Sequence, residues 1–97
     1  MEGIFTVIQG RVQGIGFCEA LQKEAQALHV YGWCQEDEEG NIIAIMIGES
    51  LAVRQLFRWC KQGPPGAWVT EADDNFIFPE DALYQKTLNL SKNSFII

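Results

Sequence analysis

The amino-acid sequence predicts an α+β fold in the order strand, helix, strand, strand, helix, strand. Three observations carry that expectation. Two stretches of helical period alternate with four short runs rich in β-branched and aromatic residues. A charged turn, EDEEG at 36–40, joins the second and third of those runs as a hairpin. The chain is 97 residues long, which fits one domain over 1–97.

The elements follow in order. Residues 4–12, IFTVIQGRV, read as a strand, and QGIG at 13–16 is a turn with two glycines around one apolar residue. In residues 17–28, Phe17, Leu21, Ala25 and Leu28 share one helix face. Residues 30–35 return to strand character, and 41–48, NIIAIMIG, form a nearly continuous apolar strand expected at the centre of the sheet. Ser50 is the expected cap of a second helix over 51–61, whose stripe is Val53, Leu56, Phe57 and Cys60. Gly63-Pro64-Pro65-Gly66 stops it. Residues 67–71 begin another strand, Asp73-Asp74-Asn75 interrupts the pattern, and Phe76-Ile77-Phe78 resumes it until Pro79. A short last strand is expected within Leu83–Leu90, followed by a tail over 91–97. Two helices after the first and third strands give one mostly antiparallel sheet covered on a single face. That is the split βαβ, ferredoxin-like plan, which hosts many activities.

Composition narrows the function classes. A hydrophobic fraction of 47% with 11% aromatic residues excludes a disordered chain. Thirteen acidic against seven basic residues give a net charge of −6, which disfavours nucleic acid as a partner. No apolar run approaches a membrane span, and Met1-Glu2-Gly3-Ile4 does not open a signal peptide, so the expected address is cytoplasmic with no membrane association. A monomer or weak dimer is expected.

Cys18, Cys34 and Cys60 include no CxxC pair, and a zinc site would need a fourth ligand from His29 or a carboxylate. Reduced, partly buried cysteines are the expectation, with one disulfide plus a free thiol as the alternative. His29 reads as a cap or an ordinary hydrogen-bonded histidine. Metal is not expected.

The chemistry-bearing feature is the glycine turn between the first strand and first helix. Small residues let the backbone curl so that successive N–H groups face an oxyanion, and the following helix adds the positive end of its dipole. The turn lacks the lysine and hydroxyl of a nucleotide-binding P-loop. A plain connecting turn is the alternative reading. In context, GRVQGIGF at 10–17 resembles the signature of the acylphosphatases. The resemblance continues through Ala25 and Leu28, Gly32-Trp33, Gly40, Gly48, Lys61-Gln62-Gly63-Pro64-Pro65 and Val69.

That resemblance implies the ferredoxin-like fold and hydrolysis of the carboxyl-phosphate bond of small acyl phosphates, with no metal or organic cofactor. It implies a phosphate-binding cradle made by backbone N–H groups of Gln13, Gly14, Ile15, Gly16, Phe17 and Cys18. It also implies two side-chain roles that this chain fills differently. Cys18 stands where the family places a phosphate-holding arginine, and Glu36 where it places a water-orienting asparagine. A neutral thiol cannot replace a guanidinium's charge and donor fork, and a carboxylate opposes an incoming dianion. Cys18 as a nucleophile would need an arginine across the loop, and none follows it before Arg54. The expected function is therefore acylphosphatase-like, with weak or lost activity. The alternative is a noncatalytic domain that binds phosphate, another anion or a protein.

Overall fold

The computed structural model describes residues 1–97. Strands β1 (Glu2–Arg11), β2 (Tyr31–Glu36), β3 (Ile42–Gly48), β4 (Trp68–Ala72), β5 (Asn75–Ile77) and β6 (Phe95–Ile96) form one sheet, with helices α1 (Phe17–Ala27), α2 (Ser50–Gln62) and α3 (Ala82–Ser91). The strand order is β4-β1-β3-β2-β6, and β5 pairs with β1. All pairs are antiparallel except β2 with β6. The expected α+β, ferredoxin-like plan is present, and β3 lies at the middle of the sheet as its apolar run required.

The larger core packs between the sheet and α1 and α2. Ile4, Ile8, Leu21, Ala44, Met46, Val53 and Leu56 are all at most 1% exposed there. Alternation along β3 sends Ile45 and Ile47 to the opposite face, where they meet Ile77 of β5 and Tyr84 of α3. That second cluster corrects the expectation of helices on one face only. It also corrects the expected strand in Leu83–Leu90, which is helical, and the tail over 91–97, where Phe95 is buried and β6 pairs with β2.

Other expectations shift by one residue. Ser50 is the first residue of α2 rather than its cap; Glu49 holds the cap position, and the Ser50 hydroxyl donates to Glu2 Oε1 at 2.9 Å. The cysteines are not all reduced. Cys18 and Cys34 form a disulfide, and Cys60 is free and buried. The first turn of α1 lies over β2, bringing their Cα atoms to 5.6 Å, within the range a disulfide spans. His29 is exposed just past α1, in the left-handed region at φ 56°. No helix is long and apolar enough to cross a membrane.

Asp73 explains the interruption before β5. β5 pairs with Gly3–Phe5 and β4 with Ile8–Arg11, leaving a gap on one edge of β1. Asp73 Oδ1 fills it by accepting the Val7 N–H at 2.8 Å and the hydroxyl of buried Thr6 at 3.5 Å. A side chain thus takes the place of a missing strand carbonyl.

Two tests follow from these contacts. At Gly32, φ is 140° and a Cβ would run into the Ile45 carbonyl across the β2–β3 ladder, so Gly32→Ala should cost at least about 2 kcal/mol, read as a lower denaturant midpoint. Glu2 and Asp73 both ionise below their ordinary range. For Glu2 the hydrogen bond from Arg54 leads, with that from Ser50 added, against burial, which pushes the other way. For Asp73 burial pushes upward, but hydrogen bonds from Val7, Asn75 and Thr6 outweigh it. A depressed folded pKa stabilises above the ordinary values of 4.5 and 3.8 and loses that contribution as pH falls through the lower folded values. Denaturant midpoints should therefore drop as pH falls from about 5 to about 2, and by less in Asp73→Asn.

Candidate anion-binding site

β1 ends at Arg11, Val12 is buried, and residues 13–16 turn the chain into α1. The turn needs its glycines. Gly14 has φ 73° and Gly16, at the helix N-cap, has φ 74°, both in the left-handed region. No side chain caps α1. Consequently the backbone N–H groups of Gln13, Gly14, Ile15, Gly16, Phe17 and Cys18 all lack a protein acceptor. Six orphan donors in succession, three of them on exposed residues, form a surface that hydrogen-bonds whatever anion or water lies against it.

Three contacts hold this loop. The Gln13 side-chain amide packs so closely on the Gly40 α-carbon that a Cβ there would collide with it, which locks the loop to the β2–β3 turn. The buried Phe17 ring stands edge-on to Trp59 of α2, with centroids 5.7 Å apart, and touches the backbone of Gly63. The Gly63-Pro64-Pro65-Gly66 stop therefore also braces the loop. The third contact is the Cys18–Cys34 disulfide.

A cavity of about 300 Å³ opens in front of the loop, walled by Gly14, Gly16, Cys18, Glu19, Glu36 and Ile97 among others. The structure thus brings Cys18 and Glu36 to one cavity, as the family resemblance implied. Of the expected cradle residues, Gly14, Gly16, Phe17 and Cys18 line this cavity, whereas Gln13 and Ile15 do not; Gln13 turns to Gly40, and Ile15 packs on the core. Glu19 was missed by sequence reasoning. Its place in the first helical turn was a usable signal, because a side chain there lies beside the N-cap, and a Cβ on Gly16 would sit 3.2 Å from its carboxylate.

The electrostatics are divided. Orphan N–H groups and the helix end present partial positive charge, whereas Glu19 and Glu36 bring full negative charges to the same cavity. Cys18, bonded to Cys34, carries no thiolate. Arg11 does not compensate, because it lines a separate opening of about 580 Å³ with Gly66, Ala67 and Trp68. No three His, Cys, Asp or Glu side chains gather as a metal-ligating group.

Removing the two carboxylate charges should show which effect dominates. Glu19→Gln with Glu36→Gln should tighten inorganic phosphate binding about threefold to tenfold at low ionic strength, followed through the Gly14–Cys18 amide resonances, and the gain should shrink as salt is added.

The family model described as acylphosphatase matches residues 4–82 of the chain. An acylphosphatase of Thiobacillus denitrificans is 40% identical over 73 residues, 75% of this chain and 82% of that protein. An acylphosphatase structure from Coxiella burnetii superposes with a TM-score of 0.81 at 28% identity, covering 98% of this chain and 90% of the other. The structure of an acylphosphatase from Bacillus subtilis gives the same TM-score, 0.81, at 23% identity over 100% of this chain and 98% of that one, a likeness of fold.

Proposed function

On the footing that this chain belongs to the acylphosphatase family, we propose that its 13–18 loop binds a phosphate-type anion and that its hydrolysis of acyl phosphates is weak or absent. The observation that carries the reading is the run of six unpaired backbone donors beside a cavity that holds a disulfide sulfur and two carboxylates where a cation is needed.

The chemistry that the loop serves is displacement at phosphorus. Water attacks the phosphoryl group, the phosphorus–oxygen bond to the acyl group breaks, and a carboxylate leaves with the bonding electrons. The products are carboxylate and dihydrogen phosphate, so both protons of the water end on phosphate. Backbone N–H groups of Gly14–Cys18 hold the phosphoryl oxygens and meet the negative charge that concentrates there. Nothing in the cavity supplies the second, charged fork of donors, because the position after Phe17 is a cysteine engaged with Cys34. Loss of one preorganised donor from such a site costs about 100-fold to 1000-fold in rate. Glu36, exposed at the end of β2, can accept a hydrogen bond from water but repels the dianion that the water must reach.

A binding role without turnover is the second reading, and one observation favours it. The cradle's donors are kept while both polar side-chain roles are substituted. A small acyl phosphate or inorganic phosphate is the ligand in either case. The same charge balance speaks against nucleic acid, and a cytoplasmic address stands as part of the proposal.

Benzoyl phosphate turnover tests the reading. The unmodified protein should hydrolyse it slowly or not at all. A Cys18→Arg, Cys34→Ala, Glu36→Asn variant, in which no unpaired thiol is left at position 34, should gain roughly 100-fold in kcat/KM. Turnover by the unmodified protein at an ordinary enzyme rate, roughly 10 per second, overturns the impaired-activity half of the proposal.

A further inference from the structure

The disulfide joins the two elements that carry the site. Cys18 is the second residue of α1 and a wall of the cavity before the loop, and Cys34 stands two residues ahead of Glu36 on β2. Each residue opens on a different cavity. Cys18 borders the one in front of the orphan donors, whereas Cys34 borders an apolar one of about 500 Å³ with Trp33, Leu90 and Ile96. Both cysteines are buried, but Cys18 is 8% exposed against 1% for Cys34, so the Cys18 side, where an anion would bind, is the more open approach to the bond. The third cysteine stays out of this chemistry: Cys60 is fully buried in α2, and burial pushes its thiol pKa up, so it remains protonated.

We propose that Cys18–Cys34 is a thiol–disulfide exchange site that sets the affinity of the adjacent loop for a phosphate-type anion, an inference that rests on the anion-binding reading above. In the oxidised chain the first turn of α1 is tied to β2, and the two left-handed glycines turn between fixed ends. The donors are then preorganised, and binding an anion orders little further. A dithiol reductant opens the link in two exchanges. One of its thiolates attacks Cys18 Sγ, the sulfur–sulfur bond breaks, and Cys34 leaves as a thiolate that takes up a proton. The second reductant thiol, deprotonated, then attacks the reductant's own sulfur in the mixed disulfide, and Cys18 leaves and is protonated. Two electrons and two protons have passed to the protein, and the reductant is a cyclic disulfide. The loop is now held by Gln13 against Gly40, by Phe17 against Trp59 and Gly63, and by Ile15 on the core, without a covalent tie.

Coupling of this kind runs both ways. If oxidation tightens anion binding by some factor, bound anion must favour the oxidised chain by the same factor. An anion on the loop also stands in the cavity through which Cys18 is attacked, so it slows reduction as well.

The test titrates inorganic phosphate against the Gly14–Cys18 amide resonances of the full chain, oxidised and reduced with dithiothreitol, beside Cys34→Ala. A second arm measures the dithiothreitol redox equilibrium of the full chain with and without saturating phosphate. The reduced chain should bind phosphate about fivefold or more weakly, and phosphate should shift the redox equilibrium by that same factor. Cys34→Ala should match the reduced chain in both buffers. Equal affinity in the two redox states overturns this inference and leaves the anion-binding reading standing. Three titratable thiols after oxidation of the unfolded-and-refolded or native chain also overturn it. No amide shifts in either state overturn both readings together.

Discussion

The placement of β1 is the constraint on which the rest of the structure depends. One edge pairs with β3 from Glu2 to Ile8, and the other is shared between β5 and β4. A strand held along both edges delivers its last residues to a fixed point, and the loop that follows starts from there. The loop must then reverse into α1 within four residues, Gln13–Gly16. Left-handed dihedrals at Gly14 and Gly16 make that reversal, at positions where another residue would cost roughly 1–2 kcal/mol each. The donors are unpaired because the turn is tight. No side chain caps the helix that follows them.

That geometry sets up a contest between short-range and long-range forces. Hydrogen bonds from six amides act only on an anion already seated. The helix end adds about half an elementary charge, spread over its first turn. Glu19 and Glu36 each carry a whole charge of the other sign at the same cavity, within a chain of net charge −6. Water and salt screen the carboxylates but do not break hydrogen bonds at contact. On the proposed reading, the donors favour a tetrahedral anion at contact while the field resists the anion's approach. An arginine would reverse the field and add a charged fork, and the side chain in that position is instead turned inward to Cys34.

Much of this was legible in the sequence, and the exceptions have physical causes. The first three strands, both major helices and the glycine turn announced themselves because each buries a periodic apolar face or needs a special dihedral. α3 did not. Its buried residues are Tyr84, Thr87 and Ser91, at helical spacing but all three bearing hydroxyls, while Leu83 and Leu90 are exposed. Two of the three leucines over 83–90, Leu83 and Leu90, thus point away from the face that packs, only Leu88 lies half-buried against it, and Leu88 and Leu90 imitate a strand's alternation. Thr87 is tolerated inside because its hydroxyl donates to the Leu83 carbonyl at 2.8 Å. One disulfide beside a free thiol was the alternative reading, but which cysteines pair was illegible for another reason. Sixteen residues separate its cysteines, and only the packing of α1 on β2 makes them neighbours. Asp73 reads as a strand breaker in sequence, yet in the fold it completes the edge that it interrupts.

The same C-terminal segment ties the back of the sheet to the site. β5 lies against β1 and β6 against β2, so the chain between them must cross the sheet, and α3 makes that crossing over the face opposite α1 and α2. The crossing has two consequences. It covers Ile45 and Ile47, which would otherwise leave the back of the central strand in water. It also delivers β6 to the free edge of β2, where Gln22 of α1 donates to the Phe95 carbonyl at 2.8 Å and Ile97 reaches the cavity before the loop. β2 is therefore paired with β3 from Tyr31 to Glu36 and with β6 at Gly32 and Trp33, and Cys34 follows directly on that doubly paired stretch. A loop carried by β1 thus faces Glu36 on β2. β3 sets the spacing of the two halves of the site, because its Ile42 pairs with Ile8 of β1 on one side and with Glu36 of β2 on the other.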